Sequence, residues 1–113
     1  MRIKRRDVVY GADPFKSGDT ARPWLVISND THPFHDEQSI VQPLTTRSWH
    51  DGLIPIPDDP RLEGGTPTPS RIVPWTVETI DHTDVRYRHG RLAAHIVDES
   101  VDRFRAFVAS HDA

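Results

Sequence analysis

At 113 residues with 35% hydrophobic side chains, the chain has the size of one domain (1–113) and apolar material for a modest core. No apolar run approaches the ~18 residues of a membrane-spanning helix, and the absence of cysteine excludes disulfides, thiolate nucleophiles and Cys-ligated zinc. The formal charge of −3 argues against a uniformly sticky nucleic-acid binder.

Met1 to Asp7 is basic and leads straight into strand-like Val8-Val9-Tyr10, not into an apolar signal core, so a cytoplasmic location is expected. Short apolar runs follow at Trp24–Ser28, Ile40–Leu44, Leu53–Ile56 and Ile72–Val77. Turn clusters separate them: Gly11 to Asp19, Asn29 to Asp36, Ser48 to Gly52 and Asp58 to Thr68. Short strands with frequent turn signals predict a small β-barrel or sandwich. Trp24-Leu25-Val26-Ile27 reads as a strand buried on both faces. Pro23 opens it, because proline has no N–H for a ladder, and it biases Arg22 towards extended geometry at the strand mouth. Pro43, Pro55 and Pro74 assign their segments to edges, bulges or ends.

The segment from Thr76 to Val85 can hold one helical turn capped by Thr79 or Asp81, and Arg91 to Ile96 reads as a further short strand. The period then changes. Val97, Val101, Phe104 and Val108 share one helical face, which predicts a terminal amphipathic helix capped by Asp98, with Arg103 and Arg105 facing away.

Lys4 and Lys16 are the only lysines among 14 basic residues. An arginine bias suits bidentate phosphate contact; codon composition explains it equally well. The seven histidines offer no fixed metal-ligand spacing. His32 and His35, beside Asp36, are the closest pair and read as loop residues. Trp24 and Trp75 read as core or interface residues, and Trp49, in a polar segment, as the better base-stacking residue. The Arg86-Arg88-Arg91 group reads as a solvated face, or as a local positive patch able to bind a polyanion.

The segments RRDVVY, ARPWLVISND and, after nine residues, IVQPLTTR resemble the MazF/PemK-like mRNA interferase toxins. The similarity continues through GLIPIP, SRIVPWTVETID and AAHIVDESVDRF. It implies an α+β, mainly β fold: a small SH3-like barrel of the plasmid-maintenance toxin type with a C-terminal helix. It implies a homodimer, with the third-strand edge and the terminal helix as contacts, and a cognate antitoxin as partner. It implies sequence-selective, metal-independent cleavage of single-stranded RNA without a cofactor. By the same resemblance Arg22 and Thr45 are the catalytic pair, and Ser17, Asp19, Thr46, Arg47, Trp49 and Thr76 are RNA contacts.

Arg6 replaces the glycine usual in such proteins, KSGDT is a shortened loop, and Thr76 and Glu78 stand where relatives often carry glutamine and arginine. A gyrase-inhibitor-like binding protein, or one that binds only antitoxin or RNA, is the alternative on the same scaffold. An arginine does not readily release its proton near neutral pH, so Arg22 suits stabilisation of a phosphorane-like transition state better than proton abstraction. Asp19 and His35 are candidate bases.

Overall fold

The structure is a computed structural model and describes residues 2–14, 16, 20–57, 61–64 (backbone only) and 70–110. Strands β1 (Asp7–Ala12), β2 (Ala21–Val26) and β3 (Gln38–Thr45) form an antiparallel meander. Side chains alternate across a strand, and both faces of this meander are covered. Val8, Leu25 and Leu44 pack on one side with Leu92, Ile96 and Val97. Val9, Trp24, Val26 and Val41 pack on the other with Ile3 and Ile80. That double burial is why these strands read as continuous apolar runs.

The chain continues through β4 (Ile54–Pro55), β5 (Arg61–Gly64), β6 (Arg71–Ile72), β7 (Glu78–Asp81), β8 (Val85–Leu92) and helix α1 (Ala94–Val108). The sheet order is β4-β6-β3-β2-β1-β8-β5, with β7 also on β3. It is an open sheet and not a closed barrel. The long strand β3 takes β7 along Gln38–Val41 and β6 along Leu44–Thr45, so one of its flanks serves two partners in succession. The described strands therefore end in short edges, β4 and β5, that do not pair with each other. The same arrangement covers the flank of β3 expected to serve a dimer.

Pro43 lies inside β3 and not at an edge. It falls where the flanking partner changes, and its carbonyl accepts from Val73 N–H at 3.0 Å. The missing proline N–H faces that gap, so no ladder bond is lost. Pro55 does sit on an edge strand, and Pro74 ends the expected Ile72–Val77 strand after two residues. The strand expected at Arg91–Ile96 begins earlier, at Val85, and gives way to helix at Ala94. One 3-10 turn, His82–Asp84, follows Asp81, whose side chain makes no cap bond. It packs closely on Gly11, where an added Cβ would lie 2.7 Å from Ile80 Cδ1 and 3.1 Å from the Asp84 carbonyl.

Helix α1 starts after Ala93 with no side-chain cap. Asp98 lies within the helix and pairs with Arg5 at 3.0 Å, which removes it from the capping role. Ile96, Val97 and Ser100 are buried, whereas Phe107 and Val108 are exposed. Only the first half of the apolar stripe is seated. Arg103 and Arg105 pair within the helix with Glu99 and Asp102, both at 3.5 Å. Gln42 and Ser100 carry polar side chains into the core: Gln42 donates to the Pro74 carbonyl at 3.0 Å and accepts from the Ser100 hydroxyl.

Outside the core, Tyr10 stacks on Tyr87 with ring centres 5.2 Å apart, and His89 stands edge-on to both. Burial lowers the His89 pKa below its ordinary 6.5. The unfolded chain therefore takes up a proton first as pH falls through 6.5, so stability falls with it until folded His89 also titrates. His89→Phe is expected to shrink the loss of Tm between about pH 7.5 and pH 5. Melting curves at the two pH values check this; an unchanged pH dependence would refute it.

Candidate active site

The ladder between β2 and β3 ends at Trp24–Pro43, although β2 continues upstream. There it is paired only to β1, with Arg22 opposite Gly11 and Pro23 opposite Tyr10. Arg22 thus lies inside β2, one residue from its start, and not at a strand mouth. Proline is tolerated where a strand has a neighbour on one side only. Two further steps of the β2–β3 register would set Arg22 against Thr45. The strands fork instead, and Arg22 spans the fork: Nη2 donates to the Leu44 carbonyl at 2.7 Å. The guanidinium carbon sits 5.3 Å from the Trp24 ring centre. Its buried Nε–H has no partner among the described residues.

Thr45 closes β3 and its hydroxyl accepts from the Arg47 N–H at 3.1 Å. This local turn bends the chain away from the sheet and leaves Thr46 and Arg47 exposed on the lip. Strand alternation and register put Arg22, Trp24, Pro43 and Thr45 on the face opposite α1, and Asp13 continues that side of β1.

Together they border an open groove of about 630 Å³. Arg22, Thr45, Thr46, Arg47, Trp49 and Thr76 all line it. Ser17 and Asp19 lie outside the described residues. Among the charged lining residues sequence reading missed Asp13 and Lys16, and among the aromatic ones it did not assign Trp75 to the site. Trp75 is half-buried in the groove wall and not a core residue. Trp49 meets it edge-on at 5.5 Å, and His50 meets it at 5.0 Å. The signal for Trp75 was available: Pro74 stops the strand, so the next side chain belongs to a turn.

Other expected neighbours are absent from this groove. His35 lines a separate concavity at the opposite end of the strands. Glu78 lines another with Asp81 and Asp84, so its carboxylate is not among the groove residues. The three β8 arginines do not act as one group. Arg88 reaches buried Asp7 at 3.4 Å, Arg91 lines the His35 concavity, and Arg86 lies on the exposed surface. Among the described residues no three His, Asp or Glu side chains converge as metal ligands. The groove offers the Arg22 guanidinium, three threonine hydroxyls, two further cations, the Asp13 carboxylate and paired indoles. That set suits an anionic chain bearing flat rings.

Comparison with known proteins gives a consistent picture. A family model described as "PemK-like, MazF-like toxin of type II toxin-antitoxin system" matches residues 4–108. No curated protein sequence matches. An endoribonuclease from a mycobacterial species shares the fold with a TM-score of 0.71 at 16% identity, over 100% of this chain and 97% of that one. A mycobacterial endoribonuclease in complex with its cognate antitoxin gives 0.65 at 17% identity, over 94% and 91%. The Mycobacterium tuberculosis toxin MazF-mt6 gives 0.64 at 22% identity, over 89% and 94%. No described helix is long and apolar enough to cross a membrane.

Proposed function

Because the chain belongs to the PemK-like, MazF-like toxins of type II toxin–antitoxin systems, we propose that it is an endoribonuclease that cuts single-stranded RNA in the groove between Arg22 and Thr45. The observation that carries this reading is the fork of β2 and β3, which leaves a guanidinium and a hydroxyl on one face of one groove. Similarity of fold to mycobacterial endoribonucleases supports it.

RNA carries its own nucleophile. The 2′-oxygen attacks the adjacent phosphorus, the bond from phosphorus to the 5′-oxygen breaks, and no water is consumed. The 2′-hydroxyl proton passes to a base or to solvent, and the departing 5′-oxygen takes a proton. The ends are a 2′,3′-cyclic phosphate and a 5′-hydroxyl. Arg22 donates to the phosphoryl oxygens as negative charge builds, and Thr45 adds a neutral donor. Asp13 is the carboxylate that lines the groove among the described residues and is the candidate base. Trp49 and Trp75 hold the flanking bases, while Arg47 and Lys16 hold the flanking phosphates. The active form is a homodimer, as the family resemblance implies, and an antitoxin restrains it; the antitoxin-bound mycobacterial endoribonuclease supports the antitoxin partner.

The test is incubation of purified protein with mixed-sequence single-stranded RNA in EDTA, followed by mapping of the new ends. Recurrent cuts with 5′-hydroxyl ends are expected. Thr45→Val keeps the shape and removes the hydroxyl, and is expected to slow cleavage about tenfold to a hundredfold. No cutting by folded protein would overturn the enzymatic reading in favour of a binding-only role.

A further inference from the structure

A second concavity lies at the other end of the same strands. Ser39 lines it and Thr45 lines the groove, and both belong to β3. At about 3.3 Å per residue, six residues of strand set the two sites roughly 20 Å apart. The second pocket has a volume of about 280 Å³. The basic N-terminal run, which the groove does not use, builds it.

Five cationic side chains line this pocket, Arg2, Lys4, Arg5, Arg6 and Arg91, against two carboxylates, Asp30 and Asp36. Asp36 faces His35 at 3.4 Å. Two of the arginines are pinned. Arg5 donates to the Ile27 carbonyl and pairs with Asp98 at 3.0 Å. Arg6 Nε donates to the Leu92 carbonyl at 2.9 Å. The other three, Arg2, Lys4 and Arg91, form no ion pair among the described residues. Arg91 carries a buried Nε–H with no acceptor among them.

Like charges gathered in one concavity repel, and buried guanidinium groups ordinarily find acceptors. Arg6 adds a further cost. Its φ of 84° is a left-handed conformation that side chains other than glycine rarely adopt. A strained backbone that delivers a guanidinium into an already cationic pocket fits a site shaped for an anion.

We propose that this pocket binds a phosphoryl group, held by Arg91 and Arg6 with Arg2 and Lys4 at the mouth. Guanidinium forks match phosphate oxygens bidentately, which favours phosphate over a spherical ion such as chloride. The phosphoryl group can be free phosphate or the phosphate of a nucleic acid, because the recognising chemistry is the same. The site does not depend on the groove being catalytic.

The experiment titrates the full chain with inorganic phosphate at constant ionic strength held with chloride, following amide NMR shifts and Tm. Shifts are expected at Arg6, Ser28, Ser39 and Arg91, together with a phosphate-dependent rise in Tm. Arg22→Ala should leave both effects intact. Arg91→Gln should weaken phosphate binding about tenfold to a hundredfold. It breaks no ion pair among the described residues, so its fold should persist. The double change Arg2→Gln, Lys4→Gln at exposed positions gives an independent reading and should weaken binding further as salt is lowered.

Trinucleotides with and without a 5′-phosphate then identify the source. Binding tighter than inorganic phosphate, and only by the phosphorylated form, assigns a nucleic-acid end. Equal binding assigns the free ion. The proposal is overturned if phosphate does no more than chloride, or if its effects vanish in Arg22→Ala and survive in Arg91→Gln.

Discussion

Arg22→Ala is expected to leave a folded protein that cuts single-stranded RNA at least about a hundredfold more slowly in EDTA, the usual cost of removing a transition-state donor. The size of the effect follows from what the side chain does. Its Nη2 holds the Leu44 carbonyl and its guanidinium carbon sits over the Trp24 ring, so the guanidinium is fixed before any ligand arrives. A preorganised cation needs no rearrangement as charge develops on phosphorus. Arg22→Lys is the sharper probe. An ammonium on a flexible stem cannot hold the Leu44 carbonyl and also present a planar fork to a phosphate. Lysine is therefore expected to keep RNA binding and lose most of the single-turnover rate. Circular dichroism and Tm separate this from misfolding, because losing the Leu44 contact alone costs about 1 kcal/mol. A rate unchanged in both variants would take catalysis away from the fork and towards Arg47, Lys16 and Asp13.

How far such a site can be read from residues alone depends on whether local pattern or tertiary pairing decides it. β1, β2 and β3 were readable because both of their faces are buried, and the apolar runs therefore stand out. Arg22 and Thr45 came from family resemblance. The structure supplies the physical basis of their spacing: it is the register of the β2–β3 hairpin carried two residues past its last pair. β5 and β7 carry too few apolar residues to announce themselves, and β7 is a strand because β3 extends far enough to receive it. The open sheet was unreadable for the same reason, since closure depends on which partners β3 takes along one flank. Asp98 looked like a cap by composition, but the helix begins earlier because Leu92 is still needed in the sheet and Ile96 is already needed in the core. His35 failed as a groove residue because strand direction, which sequence distance does not encode, sends it to the far end.

Gln42→Leu is expected to destabilise the protein by about 2–4 kcal/mol, the cost of leaving two buried polar groups without partners. The substitution conserves volume, so the loss reports hydrogen bonding more than packing. Gln42 is fully buried in β3, donates to the Pro74 carbonyl at 3.0 Å and accepts from Ser100 of α1. It joins the sheet, the helix and the turn that carries Trp75 and Thr76. For a chain of this length each kcal/mol moves Tm by roughly 4 °C, so a fall of about 8–15 °C is expected in thermal melts. Adding Ser100→Ala removes one orphaned group and should restore about 1 kcal/mol, the sign of coupling between contacting residues. Additive losses would show that the two side chains do not share a bond. The turn gives the change a second consequence. Pro74 immediately precedes two residues of the groove wall, so loosening its carbonyl lets Trp75 drift from Trp49. Leu44 and its carbonyl, which hold Arg22, lie on the other side of Pro43 and keep their strand partner Ile72. RNA cleavage by Gln42→Leu below its Tm should therefore show a raised KM with kcat largely kept, whereas damage to the fork would lower kcat.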